Sequence, residues 1–136
     1  PKRTKFIQLK NLFQALHGPH GCLWDKKQTH KSLLKYLREE SGEFCDAVRK
    51  GNIHHMKEEL GDVLLQVMFH AQIASKVGSF DIEDVIEGLI NKLKRRHPHV
   101  FGTTKVKSSH EIIRNWRKIK KMEKRTPPHK HRKISF

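Results

Sequence analysis

Apolar residues recur at intervals of three and four along most of the 136-residue chain, and no segment alternates at period two for long. That pattern predicts an all-α protein, a bundle of four to five helices. Phe6, Leu9, Leu12, Phe13 and Leu16 mark a first helix, which Thr4 can cap. The run His17-Gly18-Pro19-His20-Gly21 breaks it. Asp25 with Gln28 reads as a capping box opening a second helix, which reaches about Lys50 and is closed by Gly51-Asn52. A third is expected from about Ile53 to Lys76, with Gly78 as its stop. Asp81 and Asp84 open a fourth, built on Val85, Ile86, Leu89, Ile90 and Leu93, and Pro98 obliges it to end near His97. Ser108 and Glu111 form another capping box ahead of Ile112, Ile113, Trp116 and Ile119.

Helical phase, at about 100° per residue, separates some acids from the rest. On the second helix Leu33, Leu37, Phe44 and Val48 define the apolar stripe; Glu40 falls inside it, Glu43 on its flank, and Glu39 points away. On the third, Met56, Leu60, Val63, Leu64, Val67 and Ala71 make one apolar face and Leu65, Phe69 and Ile73 a second. Between them runs one polar line of Glu59, Asp62, Gln66 and His70. A helix apolar on nearly all sides is buried by its neighbours. Buried carboxylates are costly unless paired, hydrogen-bonded or bound to metal. Glu40-x-x-Glu43 and Glu59-x-x-Asp62 each set two acids on one face, so two helices packed side by side would bring four together. A divalent cation would remove their repulsion; salt bridges to some of the many Lys and Arg are the plainer alternative. The second apolar face points to cover by another subunit, so a dimer through this central helix is expected.

Charge changes the picture at one end. The net charge is +15, and from Thr104 onward 12 Lys and Arg face two acids, Glu111 and Glu123. Such a segment attracts polyanions, whether nucleic acid, nucleotide phosphates or anionic lipid. Residues 1–125 are expected to form the folded domain, and 126–136, with Pro127-Pro128 and no helical pattern, a basic disordered tail. No run of about 18 apolar residues and no leader is present, and Cys22 and Cys45 are read as reduced thiols, so a cytoplasmic setting is expected and no membrane partner. His17, His20 and Cys22 lack the fourth ligand of a structural zinc site.

Other candidates carry two readings each. Trp24 either plugs the core, the better prior for a lone Trp, or stacks on a base. His54 and His55 are expected to be exposed, and His70 to hydrogen-bond within the bundle. Lys92 and Arg96 are i,i+4 neighbours that could reach one polyphosphate, or could pair with the helix C-terminal dipole.

The order Gly21-Cys22-Leu23-Trp24-Asp25, Gln28-Thr29-His30, Glu39-Glu40-x-x-Glu43, Glu58-Glu59-Leu60-Gly61-Asp62 and Arg95-Arg96-His97-Pro98-His99-Val100-Phe101 resembles the MazG family of nucleoside triphosphate pyrophosphohydrolases over roughly Leu12 to Lys120. The resemblance implies an all-α, Mg²⁺-dependent enzyme (Mn²⁺ being the other candidate) that cuts nucleoside triphosphates to monophosphate and pyrophosphate, usually as a dimer or tetramer. It places the metal ligands on Glu40, Glu43, Glu59 and Asp62, the phosphate contacts on Lys92 and Arg96, and substrate contacts on Trp116 and Lys120, with Trp24 as a further nucleotide contact. Glu39 is a candidate for orienting the attacking water, although its direction on the helix argues against that as much as for it. The chain departs from the family pattern at Leu23, where Pro is common, and at Ser41-Gly42, where a small residue and a bulky aromatic are usual. A basic nucleic-acid-binding protein remains the alternative function, but it leaves the acidic cluster unexplained. A ferritin-like iron protein would need His where Asp62 stands.

Overall fold

A computed structural model describes residues 3–125, so the tail expected over 126–136 lies outside the described residues. Among the described residues all regular structure is helical: α1 (Lys5–Leu16), α2 (Leu23–Lys27), α3 (His30–Lys50), α4 (Ile53–Lys76), α5 (Ile82–Arg96), α6 (Pro98–Phe101) and α7 (Ser109–Arg125). The five long helices follow the apolar periodicity. The single turns α2 and α6 are too short for a period to reveal. No described helix is long and apolar enough to cross a membrane. The chain divides into two compact units, one ending at Ile82 and the other starting at Glu83.

In the first unit the helix ends are set by local chemistry. Thr4 Oγ1 accepts from the Ile7 amide at 3.2 Å, as the sequence predicts. The capping box expected at Asp25 and Gln28 is not formed. Asp25 lies within α2, and α3 begins at His30 behind Thr29, whose hydroxyl accepts from the Ser32 amide while Ser32 Oγ accepts from the Thr29 amide. The shift arises because Leu23-Trp24-Asp25 makes a turn of its own before the long helix can start. Gly51 ends α3 at φ +67°, a left-handed conformation that glycine adopts without steric cost, and Asn52 at once caps α4 through the His55 amide.

That two-residue turn folds α3 and α4 into an antiparallel hairpin, against which α1 packs through α4. The core is made of Phe13, Leu33, Ala47, Met68, Phe69, Ala71, Ala74 and Ile82. Phe69 meets Phe13 edge-on at 6.1 Å, His17 at 5.2 Å and Trp24 at 6.1 Å. Phe69, assigned above to the face awaiting another subunit, is thus covered within its own chain, whereas Leu65 on that face is 40% exposed. The loop after α1 folds back so closely that a side chain at Gly21 would lie 2.0 Å from the Leu16 carbonyl oxygen, and the Cys22 amide donates to that same oxygen at 2.8 Å. Far from the α3–α4 turn, the His30 and His70 rings stack at 5.0 Å with their Nδ1 atoms 2.8 Å apart. One nitrogen donates and the other accepts, so His70 bonds within the bundle as expected. His54 and His55 are exposed.

In the second unit α5 ends at Arg96, where Pro98 requires it to. Ser108 Oγ accepts from the Glu111 amide at 3.3 Å; Glu111 reaches back to the Lys107 amide at 2.8 Å rather than to Ser108 itself. None of the described residues of this unit is fully buried.

Candidate functional site

The α3–α4 hairpin determines which acids meet. Glu43 and Glu59 both lie eight residues from Gly51, and Glu40 and Asp62 both lie eleven from it. In an antiparallel pair pivoting at the turn, residues equidistant from it fall side by side. Glu40, Glu43 and Glu59 each offer a carboxylate oxygen to a cluster whose atoms all lie within 4.8 Å of one another. Asp62 is not one of that trio, yet its charge acts on both Glu40 and Glu59.

Electrostatics make the cluster an unstable arrangement on its own. Burial, then the charges of Glu43 and Asp62, hold the Glu40 carboxyl above its ordinary 4.5. Glu59 is pushed up to about 7, chiefly by burial and then by a hydrogen bond shared with Glu43 and the charges of Glu43, Asp62 and Glu40. Glu40 Oε2 and Glu59 Oε2 are buried without a hydrogen-bond partner among the described residues. No salt bridge to Lys or Arg is made by either acid among the described residues, so the plainer alternative has no support there. Hard carboxylate oxygens of this number fit a divalent cation such as Mg²⁺ or Mn²⁺. Glu39 is exposed and lies outside the trio, although its charge also raises Glu40.

The other sequence-based candidates fall in two places. Trp24 is 49% exposed, neither a buried plug nor free of contacts, because its ring meets Tyr36 at 5.9 Å as well as Phe69. Lys92, Arg96, Trp116 and Lys120 stand in the second unit. There the Arg96 guanidinium lies 6.0 Å from the Trp116 ring centroid and the His97 ring 6.1 Å from it. Lys92 and Lys120 are exposed.

Sequence reasoning missed Glu123, which accepts hydrogen bonds from both Arg95 and Arg96. A signal was available. Ile112, Trp116, Ile119 and Glu123 recur at spacings of four, three and four, so Glu123 sits in the apolar stripe of α7 as Glu40 sits in that of α3.

Residues 28–101 match the MazG nucleotide pyrophosphohydrolase domain. The chain is 53% identical over 119 residues to a Thermotoga maritima protein described as nucleoside triphosphate pyrophosphohydrolase/pyrophosphatase MazG, covering 88% of this chain and 45% of that protein. It is 40% identical over 118 residues to an Escherichia coli nucleoside triphosphate pyrophosphohydrolase, covering 86% and 45%. An uncharacterized Bacillus subtilis protein, YabN, is 50% identical over 122 residues, which span 90% of this chain and 25% of the relative. The chain therefore spans less than half the length of these curated relatives. The crystal structure of a mazG-related protein from Thermotoga maritima superposes with a TM-score of 0.69 at 28% identity, covering 85% of this chain and 98% of that one.

Proposed function

The chain belongs to the MazG nucleotide pyrophosphohydrolase family, and on that premise we propose that it hydrolyses nucleoside triphosphates to nucleoside monophosphate and pyrophosphate. One observation carries the reading: Glu40, Glu43 and Glu59 converge within 4.8 Å while two of their oxygens stay buried and unpartnered. An arrangement that repels itself is explained by a ligand that is absent from the polypeptide. Glu40, Glu43, Glu59 and Asp62 would hold Mg²⁺, or Mn²⁺ in its place. The bound cation supplies positive charge for the triphosphate and acidity for water.

The chain's own groups do the rest. Ionised Glu59 is needed for cation binding, so the proton it retains up to about pH 7 must leave first. Lys92 and Arg96 are assigned to the phosphate oxygens, where their charge steadies the departing pyrophosphate. Trp116 and Lys120 are assigned to the nucleotide, and Trp24, half exposed, offers a ring face to a base. Glu39 is the candidate for orienting water, and its exposure leaves it accessible to solvent. A homodimer through α4 is also proposed, supported by exposed apolar side chains along that helix, among them Leu60 at 54%, Leu64 at 44% and Leu65 at 40%.

The test is product analysis with a panel of nucleoside triphosphates and Mg²⁺, beside Glu59→Gln and Glu39→Gln variants. Monophosphate and pyrophosphate in equal amounts, formed only with cation and intact Glu59, are expected. Folded protein that cleaves no nucleotide, or that releases inorganic phosphate instead, would overturn the reading.

A further inference from the structure

The second unit contains a carboxylate for which the proposed reaction gives no direct role. Glu123 Oε1 accepts from Arg95 Nε at 2.8 Å and from Arg96 Nε at 3.4 Å, and its Oε2 accepts from Arg96 Nη2 at 3.0 Å. Arg96 is therefore gripped along its Nε–Nη2 edge by both oxygens, and the planar guanidinium cannot turn without breaking a bond. The side chains of Arg96 and Glu123 are 14% and 20% exposed, whereas Arg95 is 50% exposed. The Trp116 ring lies 6.0 Å from the guanidinium carbon and itself contacts His97. What remains is the Nη1 edge of Arg96, whose N–H groups have no partner among the described residues.

We propose that Glu123 is a positioning residue, which clamps Arg96 beside Trp116 so that its Nη1 edge is presented, already oriented, to a phosphate oxygen of the nucleoside triphosphate. The proposal rests on the assignment of Arg96 to the phosphates made above. It differs from two simpler roles for the same carboxylate. A strut that merely ties α7 to the end of α5 would serve equally well with Arg95 alone and has no need of both Arg96 nitrogens. An internal anion that competes with phosphate would occupy the end-on fork of the guanidinium, which here is left open. Hydrogen bonds from Arg96 and Arg95 hold the Glu123 carboxyl at about 2, so it is ionised at every working pH and has to be removed by substitution.

The test compares the full chain with Glu123→Gln, Arg96→Gln and the double variant. Turnover of a cleaved triphosphate with Mg²⁺ is followed, together with calorimetric affinity for an α,β-methylene nucleoside triphosphate, which resists cleavage at that bond. Glu123→Gln is expected to raise KM and weaken analogue binding by about 10-fold, with kcat falling as well because Arg96 also steadies the departing pyrophosphate, and to add nothing in the Arg96→Gln background, since a clamp has no effect without the group it holds. Glu123→Asp, which keeps the charge but draws it back by one methylene, should fall between. Melting curves run in parallel guard against misfolding: a strut alone would lower the melting temperature and the active fraction without moving KM. Impaired Arg96→Gln beside unchanged KM in Glu123→Gln overturns the clamp and leaves the reading of Arg96 standing. Tighter binding by Glu123→Gln overturns it in favour of the internal competitor. Arg96→Gln indistinguishable from the parent, or a parent that neither binds nor cleaves the nucleotides, overturns the functional assignment and the clamp with it.

Discussion

Glu59 in the first unit lies on the narrow polar line between two apolar faces of α4, and Glu123 in the second lies in the apolar stripe of α7, so both are acids that helical phase turns away from open solvent. Their surroundings drive them in opposite directions. Glu59 faces three other acids and, among the described residues, no cation, and its carboxyl rises to about 7; Glu123 faces two guanidiniums and falls to about 2. A charge enclosed with its counterion in place is a finished structural joint. One enclosed among like charges is relieved by a proton at low pH and, above that, would be relieved by a cation supplied from outside. The position of an acid on its helix reveals that it is special, and the sign of its neighbours reveals which kind of special it is.

The sharpest break of this contrast is to neutralise each acid in turn. Glu59→Gln should lower turnover by more than about 100-fold, beyond the loss typical of a group one shell removed from a metal, yet leave the cation-free protein at least as heat-stable as the parent, because a repulsion goes with it. Glu123→Ala should do the reverse for stability. It leaves two arginines without their acceptor and should cost about 1–2 kcal/mol, the low end for charged hydrogen bonds because Arg95 is half exposed, as denaturant melts would show.

Acidity separates the two regions next. The folded value of Glu59 lies above its ordinary 4.5, so the stability it contributes is full below that value and lost as pH rises through about 7. Melting temperature without cation should therefore fall between about pH 5 and pH 8 in the parent, and less so in Glu59→Gln. Mg²⁺ should raise it more at pH 8 than at pH 6, since at the lower pH it has to displace a proton. His70 opposes this trend. Burial, and then the neighbouring His30, lower its value below 6.5, so its contribution is present above 6.5 and is lost as pH falls through the folded value. A His70→Gln variant should accordingly lose less stability on acidification than the parent.

The smallest expected effect isolates the helix from its charges. A Cβ at Gly42 would meet nothing within 4 Å, so Gly42→Ala should stabilise α3 by about 1 kcal/mol while leaving cation affinity unchanged by calorimetry. A change in that affinity would show that the cluster depends on flexibility in α3.

Much of the first unit was legible because helical phase and chain turns are local properties. Glu40 was separated from Glu39 by angle alone, and Gly51-Asn52 marked the pivot that brings Glu43 opposite Glu59. The start of α3 was misplaced because Asp25 and Thr29 are both good caps, and only the intervening turn of α2 decides between them. Phe69 was assigned to an outer face because periodicity cannot tell which ring from a distant helix will cover it. Glu123 was counted only as one acid in a basic stretch. Helical phase sets Glu123 in line with Ile112, Trp116 and Ile119, but its pairing with Arg95 and Arg96 depends on a return of the chain from 28 and 27 residues away, which periodicity does not reveal.

The two-residue turn also has a consequence in time. Because α3 and α4 are joined by Gly51-Asn52 alone, every proposed cation ligand lies within the 23 consecutive residues from Glu40 to Asp62. Bringing them together needs no long loop to close, and contacts of such short range form early in folding. As the chain leaves the ribosome, the acids are expected to converge before α5 and α7 have emerged, so the proposed cation would meet its complete set of ligands in the first hairpin to form.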